Sequence, residues 1–278
     1  NLSKMATDGF APAKINISLH VTGRRPDGYH LLDSLVVFAD MGDRLRLRLA
    51  PEPLLSVTGP MAEGVPTGAG NLVLRAAALM GITADITLEK HLPAAAGIGG
   101  GSSDAAACLR ALSEMCRLPV PSDVSALGAD VPVCLIARAA RMRGIGEEVV
   151  PLDGLPTLDA VLVNPGVPVS TPAIFRRLTQ RANPAMPAQL PKWPDAAALI
   201  DWLGAQRNDL QDAAIAEAPV VANVLQEIAS SQHCALARMS GSGATCFGLY
   251  PDAATATRAA QALSAAHPGW WVQATRLS

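Results

Sequence analysis

PAAAGIGGGSSDAAA, Pro93 to Ala107, sets Gly97, Gly99, Gly100 and Gly101 directly ahead of Ser102, Ser103 and an alanine-rich stretch. Glycine lets a backbone adopt positive φ and come close to a ligand. A helix that starts just after such a run offers unpaired N–H groups and a partial positive charge, which suits a phosphate. The same residues also suit a flexible loop closed by a serine N-cap. Two common phosphate motifs are excluded. No Lys follows the glycines, as G-x4-G-K-[ST] requires, and Gly97-x-Gly99 is followed three residues on by Ser102 instead of glycine. The charge of a bound polyphosphate would then have to be offset by Lys or Arg from elsewhere in the chain, or by Mg2+.

Upstream, KINISLHV (Lys14 to Val21) alternates strictly, with Ile15, Ile17, Leu19 and Val21 on one face and Lys14, Asn16, Ser18 and His20 on the other. That period predicts a half-buried strand. Pro26, Asp27 and Gly28 give a turn before the apolar run Leu31 to Phe38 and the alternating run Arg44 to Leu49, so an antiparallel meander opens the chain. Asn71 to Met80 reads as a helix and Asp85 to Glu89 as a strand leading into the glycine loop. Asp104 to Cys116 reads as a second helix with Cys108, Leu109, Leu112, Met115 and Cys116 on one stripe, and another helix starts near Asp130. The Pro and Gly cluster from Pro151 to Pro156 predicts a boundary, giving lobes 1–156 and 157–278. In the second lobe the pattern predicts a strand at Ala160 to Asn164 and a Pro-rich surface loop at Asn183 to Pro194. Helices follow at Ala196 to Leu203 and Leu210 to Ser230, with strands at Ala235 to Met239, Thr245 to Tyr250 and Trp270 to Thr275.

Composition bounds the function. The 278 residues are 50% hydrophobic and 17% charged, enough apolar material for two packed lobes. The net charge is -2, with Lys and Arg scattered, so no basic stripe for nucleic acid is expected. Five cysteines, Cys108, Cys116, Cys134, Cys234 and Cys246, are an odd number at irregular spacing, which points to reduced, buried thiols. No apolar run of about 18 residues can span a bilayer, and the start of the chain lacks the apolar core of a signal peptide, so no membrane partner and a cytoplasmic location are expected. Asn1 to Lys4 precede a Met-Ala pair and are set aside from the fold.

Several single residues carry chemical interest. Lys14 and Asn16 are roughly 7 Å apart on one face of a strand, a Lys that is also compatible with plain solvent exposure. Asp130 in GADVP can open a helix beside a ligand or serve as an ordinary N-cap. MSGSGATCFGLY (Met239 to Tyr250) places Gly241, Ser242 and Gly243 between apolar strands, either as a tight hairpin or as a backbone nest for an anion. Tyr29 and His30 are ring side chains at a loop end that can stack on a planar group or pack on the surface.

Taken together, the Lys14 strand, the P-x3-G-[LI]-G-G-G-S-S loop and the G-S-G-[AS]-T turn, in that order, resemble the superfamily of galactokinases, homoserine kinases, mevalonate kinases and phosphomevalonate kinases (GHMP kinases). The resemblance implies an α+β, two-lobed GHMP-kinase fold, its N-terminal lobe similar to a ribosomal protein domain and its C-terminal lobe ferredoxin-like. It implies an ATP-dependent kinase. Further segments, APAKINISLHVTGRRPDGYHLLDSLV (Ala11 to Val36), LGADVP (Leu127 to Pro132), GIGEEV (Gly144 to Val149) and PGVPVSTPAIF (Pro165 to Phe175), are similar to one branch. That branch phosphorylates the 2-hydroxyl of a cytidine diphosphate ester of methylerythritol in non-mevalonate isoprenoid biosynthesis.

On this likeness Lys14 and Asp130 take the catalytic positions. Pro93, Ala94, Ala95, Ala96, Gly97, Ile98, Gly99, Gly100, Gly101, Ser102 and Ser103 form the ATP loop, with Asn71 toward the adenine. Asn16, Tyr29, His30, Thr171, Phe175, Gly241, Ser242 and Gly243 meet the substrate. ATP with Mg2+ is the implied cofactor pair, the metal's ligands are unassigned, and a monomer or weak homodimer is implied. Ala95 and Ala96 stand where relatives often carry glycine, and Ile98 where leucine is commoner, which predicts a stiffer first half of the loop. Two alternatives stay open: another kinase of the superfamily, and a nucleic-acid binding module, which the mildly acidic charge disfavours.

Overall fold

The computed structural model describes residues 6–278, so Asn1 to Lys4 lie outside the described residues. Two compact units interleave along the chain. One takes the described residues up to Lys14 together with Met41–Ala94 and Gly99–Ala137, and the other takes Ile15–Asp40, Ala95–Ile98 and Arg138–Ser278. Two long strands thread through both, β1 (Ala6–Arg24) and β2 (His30–Leu49), which pair with each other. The expected meander therefore uses one 20-residue strand where two shorter runs were expected, because Gly42, which reads as a turn residue, stays extended and lets the backbone approach Ala11, where a Cβ would stand 2.0 Å from its carbonyl oxygen.

In the first unit, the later part of β2 pairs antiparallel with β4 (Ala84–Glu89), from Arg44 opposite Glu89 to Leu49 opposite Ala84. Strand β3 (Leu54–Thr58), which has no strong period, runs parallel to β4. Helix α1 (Leu72–Leu79) packs on α2 (Gly100–Cys116), and α2 packs on α3 (Val131–Ile136). The buried stripe of α2, with Cys108, Leu109 and Leu112 at helical spacing, supplies its share of the core. Helix α2 starts four residues before the expected Asp104. Gly99 takes a left-handed N-cap conformation at φ 65, and Gly100 to Ser103 form the first turn, which poor glycine propensity conceals in the sequence.

In the second unit, β5 (Ala140–Gly144) pairs with the earlier part of β2 and with β6 (Glu148–Pro151). A further antiparallel set runs in the order β10 (Trp271–Leu277), β7 (Leu158–Asn164), β9 (Cys246–Tyr250) and β8 (Leu236–Met239). Helix α7 (Val220–Ser230) lies on β8 and β9, and α8 (Ala253–Ala266) lies on β7 and β10. Val221, Val224 and Ile228 of α7 join Val161, Val163, Cys246 and Tyr250 in one core. The shorter helices are α4 (Thr171–Arg177), α5 (Ala196–Gly204) and α6 (Gln211–Glu217). The single helix read from Leu210 to Ser230 is in fact α6 and α7. Ala218 leaves the helical region at φ -134, as the residue before a proline tends to, and Pro219 has no N–H to continue the ladder.

The cysteines are five free thiols, with Cys108, Cys134 and Cys246 buried and Cys116 and Cys234 half-buried. Among the described residues no helix is long and apolar enough to cross a membrane.

Candidate active site

The strand that carries Lys14 departs from its expected half-burial. Every residue from Ala11 to Val21 is buried, so the polar face is covered as fully as the apolar one. A buried polar group is costly unless it is paired, and the pairing is visible. Lys14, 3% exposed, places Nζ 3.0 Å from Asp130 Oδ2. Asp130 is the N-cap residue of α3, yet its side chain makes no capping bond. Pro132 at N2 removes one of the amides a capping carboxylate would seek, which leaves the carboxylate to Lys14. The Asp130 side chain keeps 33% of its surface, so one end of the pair reaches solvent.

The glycine loop meets this pair at Gly99. A Cβ on Gly99 would stand 3.1 Å from Lys14 Cε and 3.2 Å from its Cβ, and the positive φ there is one that side chains resist. Glycine is required twice over, by conformation and by the lysine stem beside it. Ser102 stays partly exposed, with its Oγ 3.6 Å from where a Cβ on Gly128 would stand in the Asp130 loop. Ser103 is fully buried, and its hydroxyl donates to the Pro12 carbonyl at 2.7 Å, bracing the strand just ahead of Lys14. Asn71 is occupied as the N-cap of α1, accepting from the Val73 amide at 2.9 Å and donating to the Pro66 carbonyl at 2.8 Å. Pro93 is buried while Ala94 and Ala95 are exposed, and Ala95 is held at φ 48, a left-handed strain that glycine would not feel.

Within the second unit, Ala96 to Ile98 lock onto the Met239–Tyr250 segment. That segment is a β8–β9 hairpin whose turn is closed against the loop. A Cβ on Gly97 would stand 2.4 Å from the Ser240 carbonyl oxygen, and one on Gly241 2.7 Å from the Gly97 carbonyl oxygen. Ser240 Oγ donates to the Gly97 carbonyl at 3.0 Å and accepts from the Asn16 amide at 3.0 Å, and the Thr245 amide donates to the Ala96 carbonyl at 3.1 Å. Asn16, 1% exposed, donates through Nδ2 to Ser34 Oγ at 2.9 Å. Ser242 Oγ is 2.7 Å from Thr171 Oγ1, and Asn208 Nδ2 donates to the Met239 and Gly241 carbonyls at 2.7 and 2.9 Å. Gly243 also sits at positive φ, with the Met239 sulfur 2.7 Å from where its Cβ would stand.

His30 and Phe175 stack, ring centroids 4.9 Å apart at 25°. Burial, followed by Arg24 and Arg181, lowers the His30 pKa, and its buried Nε2 has no hydrogen-bond partner among the described residues. Tyr29 lies 62% exposed at the end of the hairpin turn, its amide donating to Asp27.

Three residues the sequence reading passed over also matter here. Ser240 and Asn208 hold the hairpin turn, and Lys90, 3% exposed, lies between Asp43 and Asp104 close to the loop. Ser240 lies within the Met239–Tyr250 segment and Lys90 shortly before Pro93, whereas Asn208 has no local signal in the sequence. Among the described residues no group of three or more His, Cys, Asp or Glu side chains is set to hold a metal ion.

Family comparisons fit this geometry. Residues 71–138 match the GHMP kinases N terminal domain, and residues 188–269 match GHMP kinases C terminal. The chain belongs to the GHMP kinases, a family of ATP-dependent kinases, with an α+β fold. A 4-diphosphocytidyl-2-C-methyl-D-erythritol kinase from Dinoroseobacter shibae is 61% identical over 97% of this chain and 94% of the relative. One from Cereibacter sphaeroides is 57% identical over 98% and 99%. A crystal structure of 4-(cytidine 5'-diphospho)-2C-methyl-D-erythritol kinase superposes with a TM-score of 0.77 at 35% identity, over 98% of this chain and 99% of that one. The homoserine kinase of Cytophaga hutchinsonii, at 20% identity and a TM-score of 0.66 over 98% and 95%, shares the fold. Within the GHMP kinases the chain belongs to the 4-diphosphocytidyl-2-C-methyl-D-erythritol kinases.

Proposed function

We propose that this enzyme transfers the γ-phosphoryl group of ATP to the 2-hydroxyl of 4-diphosphocytidyl-2-C-methyl-D-erythritol, a step of the non-mevalonate route to isoprenoid precursors. The observation that carries the chemistry is the ion pair of Lys14 and Asp130, one end buried and the other open to solvent. Phosphoryl transfer passes through a loose transition state, so catalysis is mostly positioning and charge stabilisation. Asp130 orients the 2-hydroxyl and takes its proton late, as the oxygen bonds to phosphorus and the bond to the ADP oxygen breaks. Lys14 holds the Asp130 carboxylate in place and offsets charge on the transferring phosphoryl oxygens.

Gly97 to Ser102 present backbone N–H groups to the phosphates at the start of α2. Mg2+ bound with those phosphates would supply further charge neutralisation, and the partly exposed Asp130 carboxylate is an oxygen donor of the kind it would take. His30 and Phe175 stack on the cytosine beside Tyr29, Asn16 orients the alcohol, and Thr171 with the Gly241 to Gly243 turn lines the substrate. Asn71 reaches toward the adenine from its cap position. The two family matches fall on either side of 156/157, in keeping with lobes 1–156, which carries the ATP loop and catalytic pair, and 157–278, although the compact units assign Ile15–Asp40 and Ala95–Ile98 to the second. The proposal includes a cytoplasmic setting, a monomer or weak homodimer, and no nucleic-acid partner.

The test is ATP-dependent phosphorylation of the cytidine diphosphate substrate, with the phosphorylated oxygen assigned by NMR. Asp130→Asn and Lys14→Ala should each lower kcat by about a hundredfold or more while leaving the circular dichroism spectrum unchanged. Near wild-type turnover in either folded variant removes that residue from the mechanism.

A further inference from the structure

A buried charge cluster close to the glycine loop has no part in the proposed chemistry. Lys90, just past β4, pairs through Nζ with Asp43 Oδ2 and, at 2.9 Å, with Asp104 Oδ2. Asp43 is fixed from its other oxygen, which accepts from the His91 and Leu92 amides at 2.6 and 2.9 Å. All three side chains are 4% exposed or less. Asp104 stands one turn into α2, and Lys90 Nζ lies 3.6 Å from where a Cβ on Gly100 would be. The lysine backbone is itself anchored, its amide donating to the Thr58 carbonyl at 2.7 Å and its carbonyl accepting from the Met61 amide at 3.1 Å. The cluster therefore links the first turn of a glycine-rich helix to a regular sheet.

A run of glycines costs more conformational entropy to fix than any other sequence, so loop amides that must meet a ligand need an external tether. Burying two carboxyl groups against one ammonium is a poor way to gain stability, since desolvation offsets the attraction. Its value here is geometric. Among the described residues the buried Asp104 Oδ1 has no hydrogen-bond partner, a cost that calls for an explanation.

We propose that Asp104 is a positioning residue for the phosphate loop: through Lys90 and Asp43 it ties the first turn of α2 to the end of β4 and sets the amides that receive the polyphosphate. The inference rests on reading Pro93 to Ser103 as the ATP loop. The charged groups acting on Asp104 are Lys90 and Asp43, and Cys134 on α3 is a thiol whose pKa burial raises, leaving it neutral. The Asp104 carboxyl is raised to about 8 on balance, with burial raising it most, Lys90 lowering it and Asp43 raising it. Burial alone would lower the Lys90 ammonium, but Asp104 and Asp43 together raise it on balance. Asp104 thus holds a proton near neutral pH. Above about pH 8 it adds a negative charge next to the loop, where an anionic ligand would be opposed.

The experiment measures the KM of ATP and of the alcohol substrate between about pH 6.5 and 9.5, with binding of a fluorescent ATP analogue, for wild type, Asp104→Asn and Asp104→Ala. Wild-type KM for ATP should rise about fivefold across the upper half of that range, with the alcohol KM nearly flat. Asp104→Asn, which can still accept from Lys90, should match wild type near neutrality and lose the rise. Asp104→Ala should raise the ATP KM about tenfold at every pH while kcat stays within about threefold. If the alanine variant does not fold, the asparagine profile decides alone. An asparagine profile that tracks wild type, or a folded alanine variant with unchanged ATP KM, overturns the inference while the ATP loop stands. Wild type that binds no ATP analogue overturns the loop reading and the inference with it.

Discussion

At the scale of single residues, the surroundings of His30 lower its pKa, and that shift bears on the stacking role proposed for it. Burial, Arg24 and Arg181 hold its pKa below the ordinary 6.5, so the ring that stacks on Phe175 is neutral at physiological pH. A neutral imidazole is free to stack on a third planar group. His30→Ala should raise the KM of the cytidine substrate about tenfold with kcat within about twofold, because stacking binds ground and transition states alike. Acidification through the lowered His30 value should raise the wild-type KM and leave that of the variant unmoved. Steady-state kinetics at several pH values checks both, and an unchanged KM in the variant removes His30 from the substrate pocket.

At the scale of elements, the segment from Asn183 to Pro194 has no helix or strand, and a buried pair supplies most of the contacts to its middle. Arg141 on β5 makes two bonds of 2.8 Å to Asp33 on β2, and its remaining N–H groups donate to the Met186, Pro187 and Ala188 carbonyls. Asp33 also accepts from the Met186 amide at 2.9 Å. Arg141→Met should destabilise the protein by about 3–5 kcal/mol, since Asp33 would be left charged and buried. It should also speed proteolytic cleavage within 183–194, read by mass spectrometry. Adding Asp33→Asn should recover part of the stability, and full additivity of the two changes would contradict the pairing.

Elements of this kind also mark where sequence reading stops. The period of KINISLHV announces a strand, and the glycines before α2 announce a loop of unusual backbone conformation at a helix start, because both signals are local. What covers the polar face is not local: Ser34 reaches Asn16 from 18 residues away and Ser240 from 224. The Lys90 cluster escaped notice for the same reason, since Asp43 lies 47 residues from its lysine. Asp130 and Lys14 were singled out by type and context, but the reason their carboxylate and ammonium meet, a helix start whose N2 is proline, appears only in the fold.

At the scale of the whole molecule, Asp104 predicts a pH dependence of stability. Its folded value, about 8, is raised above the ordinary 3.8, so the folded state binds a proton that the unfolded chain releases between those values. The stability it contributes is fully present below about pH 4 and is lost as pH rises toward 8. Urea midpoints of wild type should therefore fall more steeply from about pH 5 to about pH 8 than those of Asp104→Asn, by up to a few kcal/mol in total. Parallel curves for the two proteins would contradict the assignment.

Ser240 joins three distant parts of the chain, accepting from the Asn16 amide and donating to the Gly97 carbonyl from within the last hairpin. On the ribosome, Asn16 and Gly97 emerge long before their common partner. A nascent or prematurely ended chain that lacks residues Ser240 to Thr245 leaves the first half of its glycine loop without the contacts that fix it. The order of synthesis thus makes the glycine loop one of the last features to mature, so that incomplete chains do not carry it in finished form.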